Sequence, residues 1–185
     1  MAILTMKGHV SRALDFLNKD SIYAAIGKST KWAQGDCKEL EGDGFDPTKD
    51  YDLYPPAPSI NDNMIDIIGF KKIEIRSMVI QDDEGSIEYR GTRWRSLGVE
   101  EAIEVGSRWV YISTVLTYNE LPVSAPYRQV GIYTGLKTLE SVPDGKYALL
   151  PEDVEDVGLL EILDNRKPVY RDYDVRELIK IILEF

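Results

Sequence analysis

The amino-acid sequence predicts a mainly β (α+β) fold with one short N-terminal helix and a long loop rich in Pro and Gly. Two segments dominated by β-branched and aromatic residues, 109–118 and 127–134, are the strongest strand signals. Apolar residues recur with helical spacing only near the N-terminus. Because 185 residues, 43% of them hydrophobic, can bury one core, we expect a single domain over residues 1–185.

The first elements are a helix and then a strand. Val10, Ala13, Leu14 and Leu17 have helical spacing, and the polar residues 18–20 end the pattern, which predicts an amphipathic helix over residues 10–17. The compact apolar run 21–27, which ends in a glycine, indicates a buried strand.

A long loop follows over residues 28–63. Gly and Pro are spread through it among Asp and Lys, so regular structure is not expected. Its apolar and aromatic side chains predict an ordered arm, residues 32–58, that packs against another protein surface. A partner subunit is one candidate for that surface. These side chains are Trp32, Phe45, Tyr51, Leu53 and Tyr54.

The middle and the end of the chain indicate further strands. Residues 72–80 alternate early between apolar and polar side chains, residues 81–86 have turn chemistry, and residues 87–90 are again strand-like, which predicts a hairpin. The apolar C-terminal run 178–185 suits either a helix or a strand by periodicity. We expect a strand, because β-branched residues dominate it.

Composition and charge exclude several function classes. A formal charge of −10 and a pI near 4.7 argue against a nucleic-acid surface, which needs clustered Lys and Arg. We also expect no membrane span and no export signal, so the protein should stay in the cytoplasm where it is made.

Residues for catalysis, metal binding or cofactor binding are not apparent in the sequence. His9 and Cys37 are the only histidine and cysteine, which excludes a disulfide framework and sites with several imidazoles or thiolates. The acidic stretch 43–52 lacks the spacing of a calcium-binding loop, and the carboxylates of residues 82–84 are explained by a turn. We therefore expect no enzyme activity, no metal and no cofactor.

Several segments, taken in order, resemble one family. Residues 21–32, with Gly27-Lys28-Ser29 and Trp32, are followed by Tyr54-Pro55-Pro56-Ala57-Pro58. Residues 127–134, residues 165–169 and the terminal strand then continue the pattern. In this order they resemble the T-even bacteriophage baseplate wedge protein called gene product eight. The resemblance implies that residues 165–169 of this sequence form a turn. Residues 82–106 stand where the T-even protein carries a large inserted domain.

The resemblance implies a β-sandwich-like fold and a structural subunit of a contractile tail baseplate wedge, located in the virion. It also implies a homodimer that bridges other wedge proteins. In this interpretation the arm is the partner-binding surface, with Trp32, Tyr54, Pro55 and Pro56 as the candidate contact residues. The alternative for Trp32 is that it fills the core of its own domain, since Trp is usually buried.

Two other functions stay open at this level. A β-rich domain with exposed Trp and Tyr also suits a carbohydrate- or small-ligand-binding module of a host-recognition device. An enzyme that uses two carboxylates, such as a glycosidase, requires a separation between two acids that the sequence does not reveal.

Overall fold

A computed structural model describes residues 3–59, 63–122, 126–172 and 174–185. Backbone contacts divide the chain into two compact units, one comprising Met1–Asp20, Ile73–Val115 and Leu178–Phe185, the other Ser21–Lys72 and Leu116–Glu177. The predicted mainly β class, with a short N-terminal helix and a long irregular loop, is confirmed. The single domain over residues 1–185 stays a prediction.

The described residues form two α-helices and twelve strands. The helices are α1 (Met6–Leu17) and α2 (Val99–Val105), and the strands are β1 (Ile22–Gly27), β2 (Gly69–Lys72), β3 (Ile75–Gln81), β4 (Ile87–Tyr89), β5 (Thr92–Leu97), β6 (Trp109–Leu116), β7 (Tyr127–Thr134), β8 (Lys137–Thr138), β9 (Ala148–Leu149), β10 (Val154–Asp156), β11 (Leu159–Val169) and β12 (Glu177–Glu184).

Helix α1, in the first unit, confirms the predicted N-terminal helix and begins four residues earlier. The Thr5 side chain accepts a hydrogen bond from the backbone N–H of Gly8 at 3.2 Å, which caps the first turn. Val10, Ala13 and Phe16 form its buried face. The rings of Phe16 and Phe185 lie 5.1 Å apart, so the helix packs on the end of the chain.

The first unit contains a five-stranded sheet with the order β12-β6-β3-β5-β4. The predicted hairpin between residues 72–80 and 87–90 is wrong, because β3 pairs with β5 and β4 lies at the sheet edge. The tight turn is instead at Arg90 and Gly91, which join β4 to β5 with φ angles of 49° and 79°. Two consecutive positive φ angles match the twist of a two-residue hairpin.

Helix α2 lies within the insertion-like segment 82–106, for which no helix is predicted from the sequence. It spans only seven residues, and Gly106, with a φ of 69°, ends it. Ala102 is its buried contact residue. The first unit therefore has two helices, which contact each other and strand β3.

A small aromatic core lies on one face of this sheet. Val79, Trp94 and Tyr111 are buried there, and the rings of Trp94 and Trp109 are 5.2 Å apart. The two edge strands approach each other, since Lys180 Nζ on β12 donates a hydrogen bond to the carbonyl oxygen of Glu88 on β4 at 2.6 Å. The sheet is therefore strongly curved.

The second unit contains a five-stranded sheet with the order β11-β7-β1-β2-β9 and a pair formed by β8 and β10. Strand β1 is buried along its whole length between β2 and β7, which confirms the predicted strand over residues 21–27. The core of the second unit includes Tyr23, Phe70 and Tyr133. The rings of Phe70 and Tyr133 meet edge to face, with their centres 5.6 Å apart.

Two other strand predictions and one turn prediction are tested by these sheets. The predicted strand 72–80 is interrupted, because β2 ends at Lys72 and β3 begins at Ile75 in a different sheet. The turn expected at residues 165–169 is wrong, since these residues belong to β11. Pro168 is tolerated because β11 is an edge strand whose register shifts between Asn165 and Val169. The predicted C-terminal strand is confirmed by β12.

Candidate partner-binding arm

The arm, residues 32–58, is reached through a strained residue after β1. Lys28 has a φ of 57°, a left-handed conformation that is uncommon for a residue with a side chain. Its N–H donates to the carbonyl oxygen of Ile65 at 2.6 Å. The chain therefore leaves the sheet sharply at a fixed point, and the arm contains only two short 3-10 turns, Lys38–Leu40 and Gly42–Gly44.

A small core of its own orders the arm. Trp32, Cys37, Leu40 and Tyr51 are buried together, and the ring of Phe45 stacks on that of Tyr51 at 5.6 Å. An irregular segment that buries apolar side chains can offset the entropy of ordering its backbone. The prediction of an ordered arm thus has a physical basis in these contacts.

A buried lysine anchors the start of the arm. The Nζ of Lys28 lies 2.9 Å from the Asp36 carboxylate and donates to Thr30 Oγ1 at 2.8 Å. It also lies 5.8 Å from the centre of the Trp32 ring, within the range of a cation–π contact. The charge is therefore paired despite its burial, as a buried ammonium requires.

Arg128, on β7, fastens the other end of the arm to the sheet. Its Nε and one terminal nitrogen donate to the two Asp52 carboxylate oxygens at 2.6 and 2.9 Å. The other terminal nitrogen donates to the carbonyl oxygen of Ser29 at 2.7 Å. A buried guanidinium thus joins Asp52, near the end of the arm, to the backbone just before the arm through a bidentate pair and one backbone contact.

The ion pair changes the titration of its carboxylate. The hydrogen bonds from Arg128 lower the pKa of Asp52 below its ordinary value of 3.8, against the opposing effect of partial burial. Asp52 therefore stays charged at neutral pH. The tether is maintained over the whole neutral range.

An amide network adds a second attachment. Gln129 Oε1 accepts a hydrogen bond from the N–H of Ile65 at 2.7 Å, and its Nε2 donates to Asn165 Oδ1 at 2.9 Å. Asn165 Nδ2 in turn donates to the carbonyl oxygen of Pro56 at 3.1 Å. The end of the arm is therefore joined to β7 and β11 of the same sheet.

The four residues proposed from the sequence occupy different environments. Trp32 is only 5% exposed and belongs to the arm core, whereas Tyr54 is 61% exposed. Pro55 is half-buried and Pro56 is buried beside the Asn165 contact. Leu53 is exposed next to Tyr54. Tyr54 and Leu53 are therefore the side chains that the arm presents outward.

A shallow cleft of about 340 Å³ lies alongside the arm core. Its lining includes Trp32, Phe45, Tyr51 and the lysines Lys31 and Lys49. The Lys49 ammonium sits 5.0 Å above the Tyr51 ring, so one wall already carries a cation on its aromatic face. The cleft offers mixed polar and apolar contacts beside the arm.

Sequence reasoning missed the residues that hold the arm. Arg128 and Gln129 are polar residues in an otherwise apolar strand, and both are buried. That local contrast was the available signal, since a buried polar side chain must find partners. The partners Asp52 and Asn165 lie 76 and 36 positions away in the chain, beyond what a local pattern can identify.

The described parts of the chain contain no group of three or more His, Cys, Asp or Glu residues placed to bind a metal ion. No helix in those parts is long and apolar enough to cross a membrane.

Comparison with known proteins identifies the class. Residues 1–185 match the family model described as "Baseplate wedge 3 tail fiber network component". "Virion protein 3" of Enterococcus phage phiEF24C is 33% identical over 183 residues, which cover 95% of this chain and 90% of the relative. The predicted role as a structural component of a phage baseplate is confirmed, and the narrower resemblance to gene product eight stays a prediction. The chain therefore belongs to the baseplate wedge 3 tail fiber network component family of bacteriophage virion proteins.

Proposed function

We propose that the protein is a non-enzymatic subunit of a contractile tail baseplate wedge, which pairs with a second copy and bridges neighbouring wedge proteins. The observation that carries this proposal is the family match over all 185 residues. It assembles in the host cytoplasm and ends in the tail baseplate. The order of motifs shared with gene product eight supports a related position in the wedge.

The arm is the proposed bridging element. Its core and its Arg128 tether fix its conformation before binding, so little conformational entropy is lost on docking. Tyr54 and Leu53 supply the exposed contact area, and Tyr is enriched among residues that dominate interface energies. Pro55 and Pro56 stiffen the backbone next to Tyr54.

Charge indicates the nature of the partner surface. The arm contains seven Asp and Glu residues but only two Lys, and the whole chain carries a formal charge of −10. A basic patch on the neighbouring wedge protein would complement it and speed association. Repetition of the contact around a symmetric baseplate then strengthens a modest individual affinity through effective concentration.

The test is whether Tyr54→Ala subunits enter the baseplate. The matched control is Tyr147→Ala, which removes a Tyr of similar exposure, 54%, from another surface of the same unit. In phage deficient in the native copy, we expect Tyr54→Ala to reduce the amount of subunit found in purified tails, while Tyr147→Ala leaves it unchanged. Equal incorporation of both variants would contradict the role of the arm.

The carbohydrate- or small-ligand-binding alternative has less support. Stacking on a sugar requires a solvent-facing aromatic surface, whereas Trp32 and Tyr51 are turned into the arm core. The cleft beside them is the candidate site for such a ligand. Glycan-array binding that is lost in Phe45→Ala would favour this alternative over the structural role.

A further inference from the structure

A groove runs between the two helices of the first unit. It has a volume of about 600 Å³, and Met6, Val10 and Leu14 of α1 line it together with Ile103 and Val105 of α2. The helices meet closely at its end, where Gly106 lies against Met6. The groove is therefore a continuous apolar surface formed by both helices.

The side chains at the rim of this groove are exposed to an unusual degree. Met6 is 55% and Ile103 is 56% exposed, and Val105 is similarly accessible. Val99 lies one helical turn before Ile103 and is exposed on the same face of α2. A contiguous exposed patch of large apolar side chains marks an interaction surface rather than an ordinary monomer surface.

The two rims carry opposite charges. Lys7 of α1 and Glu104 of α2 both line the groove, and neither has an ion-pair partner among the described residues. A second copy turned by a two-fold rotation about the groove direction would place its α1 over α2 of the first copy. Lys7 of each copy would then face Glu104 of the other, and the two apolar floors would cover each other.

We infer that the α1/α2 groove is the surface on which a second copy of this chain docks, as a two-fold symmetric contact. The inference rests on the proposed pairing of two copies and assigns that pairing to a particular surface. The charge pattern favours a second copy over an unrelated apolar segment. A two-fold axis would form the contact between Lys7 of one copy and Glu104 of the other twice, whereas an apolar segment would leave both charges without a partner. The arm belongs to the other unit and contributes no residue to this groove.

The first experiment measures the molar mass of the full chain by light scattering over a concentration series. Ile103→Glu introduces a charge twice into the symmetric contact, so we expect the dimer dissociation constant to rise by more than about 100-fold. Ile75→Glu is the matched control, because Ile75 is 58% exposed on the same unit but lies outside the groove. It should leave the dissociation constant unchanged. Thermal unfolding of each variant verifies that the fold is retained.

The second experiment exchanges the rim charges. Lys7→Glu alone and Glu104→Lys alone each bring like charges together twice, and we expect each to raise the dissociation constant by about tenfold. The double variant K7E/E104K restores opposite charges and should recover the affinity of the original chain. Such a recovery is specific to self-docking, since a different partner would not carry the compensating change.

The outcomes separate the surface from the proposed function. A dimer that survives Ile103→Glu, or single charge variants that are not rescued by K7E/E104K, overturns the assignment of the groove while the pairing stands. A chain that is monomeric at all concentrations overturns the groove contact, and its entry into tails would still uphold the structural role. A dimer that never enters tails would instead contradict the baseplate proposal alone.

Discussion

Removal of the guanidinium of Arg128 should release the arm from its sheet. Arg128→Met keeps the apolar stem but deletes three hydrogen bonds, two to Asp52 and one to Ser29. Breaking a buried ion pair costs about 3–5 kcal/mol when one charge is left without a partner in a dry site. The Asp52 side chain is 19% accessible and can regain water, so we expect a loss of about 2–3 kcal/mol.

The loss should appear as local opening of the arm before global unfolding. Lys38 and Lys49 lie in the arm and are exposed, which makes trypsin cleavage there a direct measure of opening. Amide hydrogen exchange should accelerate over the arm but not over β1. The control is Lys167→Met, which removes an exposed cation from β11.

A double-mutant cycle with Asp52→Asn isolates the pair itself. We expect a coupling energy of about 2 kcal/mol between Arg128→Met and Asp52→Asn. The lowered pKa of Asp52 means that its contribution is complete above 3.8 and is lost as the pH falls through the still lower pKa of the folded state. The idea that Arg128 tethers the arm would be refuted by two results together: trypsin cleavage as slow in Arg128→Met as in Lys167→Met, and no coupling energy between Arg128→Met and Asp52→Asn.

The other predictions concern burial and backbone strain. Burial raises the pKa of Glu177 from 4.5 to about 7, so the free energy of unfolding should fall by up to about 3 kcal/mol as the pH rises through that interval. Urea titrations across that pH interval should show no such fall in the free energy of unfolding of Glu177→Gln. A variant whose pH profile matches that of the original chain would contradict this prediction. Arg90→Asn places a residue that tolerates positive φ in the hairpin and should add about 0.5 kcal/mol, seen as a higher melting temperature; a lower one would contradict the assignment of strain. Gly158→Ala would put a Cβ 2.2 Å from the Thr134 carbonyl oxygen and should cost more than about 2 kcal/mol in denaturant unfolding. Gly135→Ala, which also has a positive φ but open space around it, should cost only about 1 kcal/mol, so equal losses would exclude the steric explanation.

Local patterns were sufficient for the strongly periodic elements. The N-terminal helix, β1 and the strands around residues 109–118 and 127–134 were predicted because their side chains carry the period of the element. The C-terminal strand was predicted by its β-branched composition. These elements bury most of their apolar faces, so pattern and structure agree.

Strand pairing and short elements could not be predicted from local sequence patterns. Strand β3 is followed by a turn and by β4, yet it pairs with β5, because pairing depends on the whole sheet and not on the nearest strand-like segment. Helix α2 has only seven residues, too few to establish a helical period. Strand β11 was obscured by Pro168, which suits a turn unless the strand is known to lie at an edge.

The arm shows the same limit at the level of function. Its aromatic and Pro content predicted an ordered segment, and Tyr54 is exposed as a contact residue requires. Trp32 was ambiguous because the same side chain suits an interface or a core, and only the positions of Cys37 and Leu40 resolve its burial.

The curved sheet of the first unit also determines when the protein can fold. It combines strands from the middle of the chain with β12, and α1 packs on Phe185, so its contacts join the two ends of the sequence. Such nonlocal closure is slow and cannot finish on the ribosome before the β12 segment has been synthesised. A chain that stops before β12 therefore lacks one edge strand of this sheet and the Phe185 ring on which α1 packs.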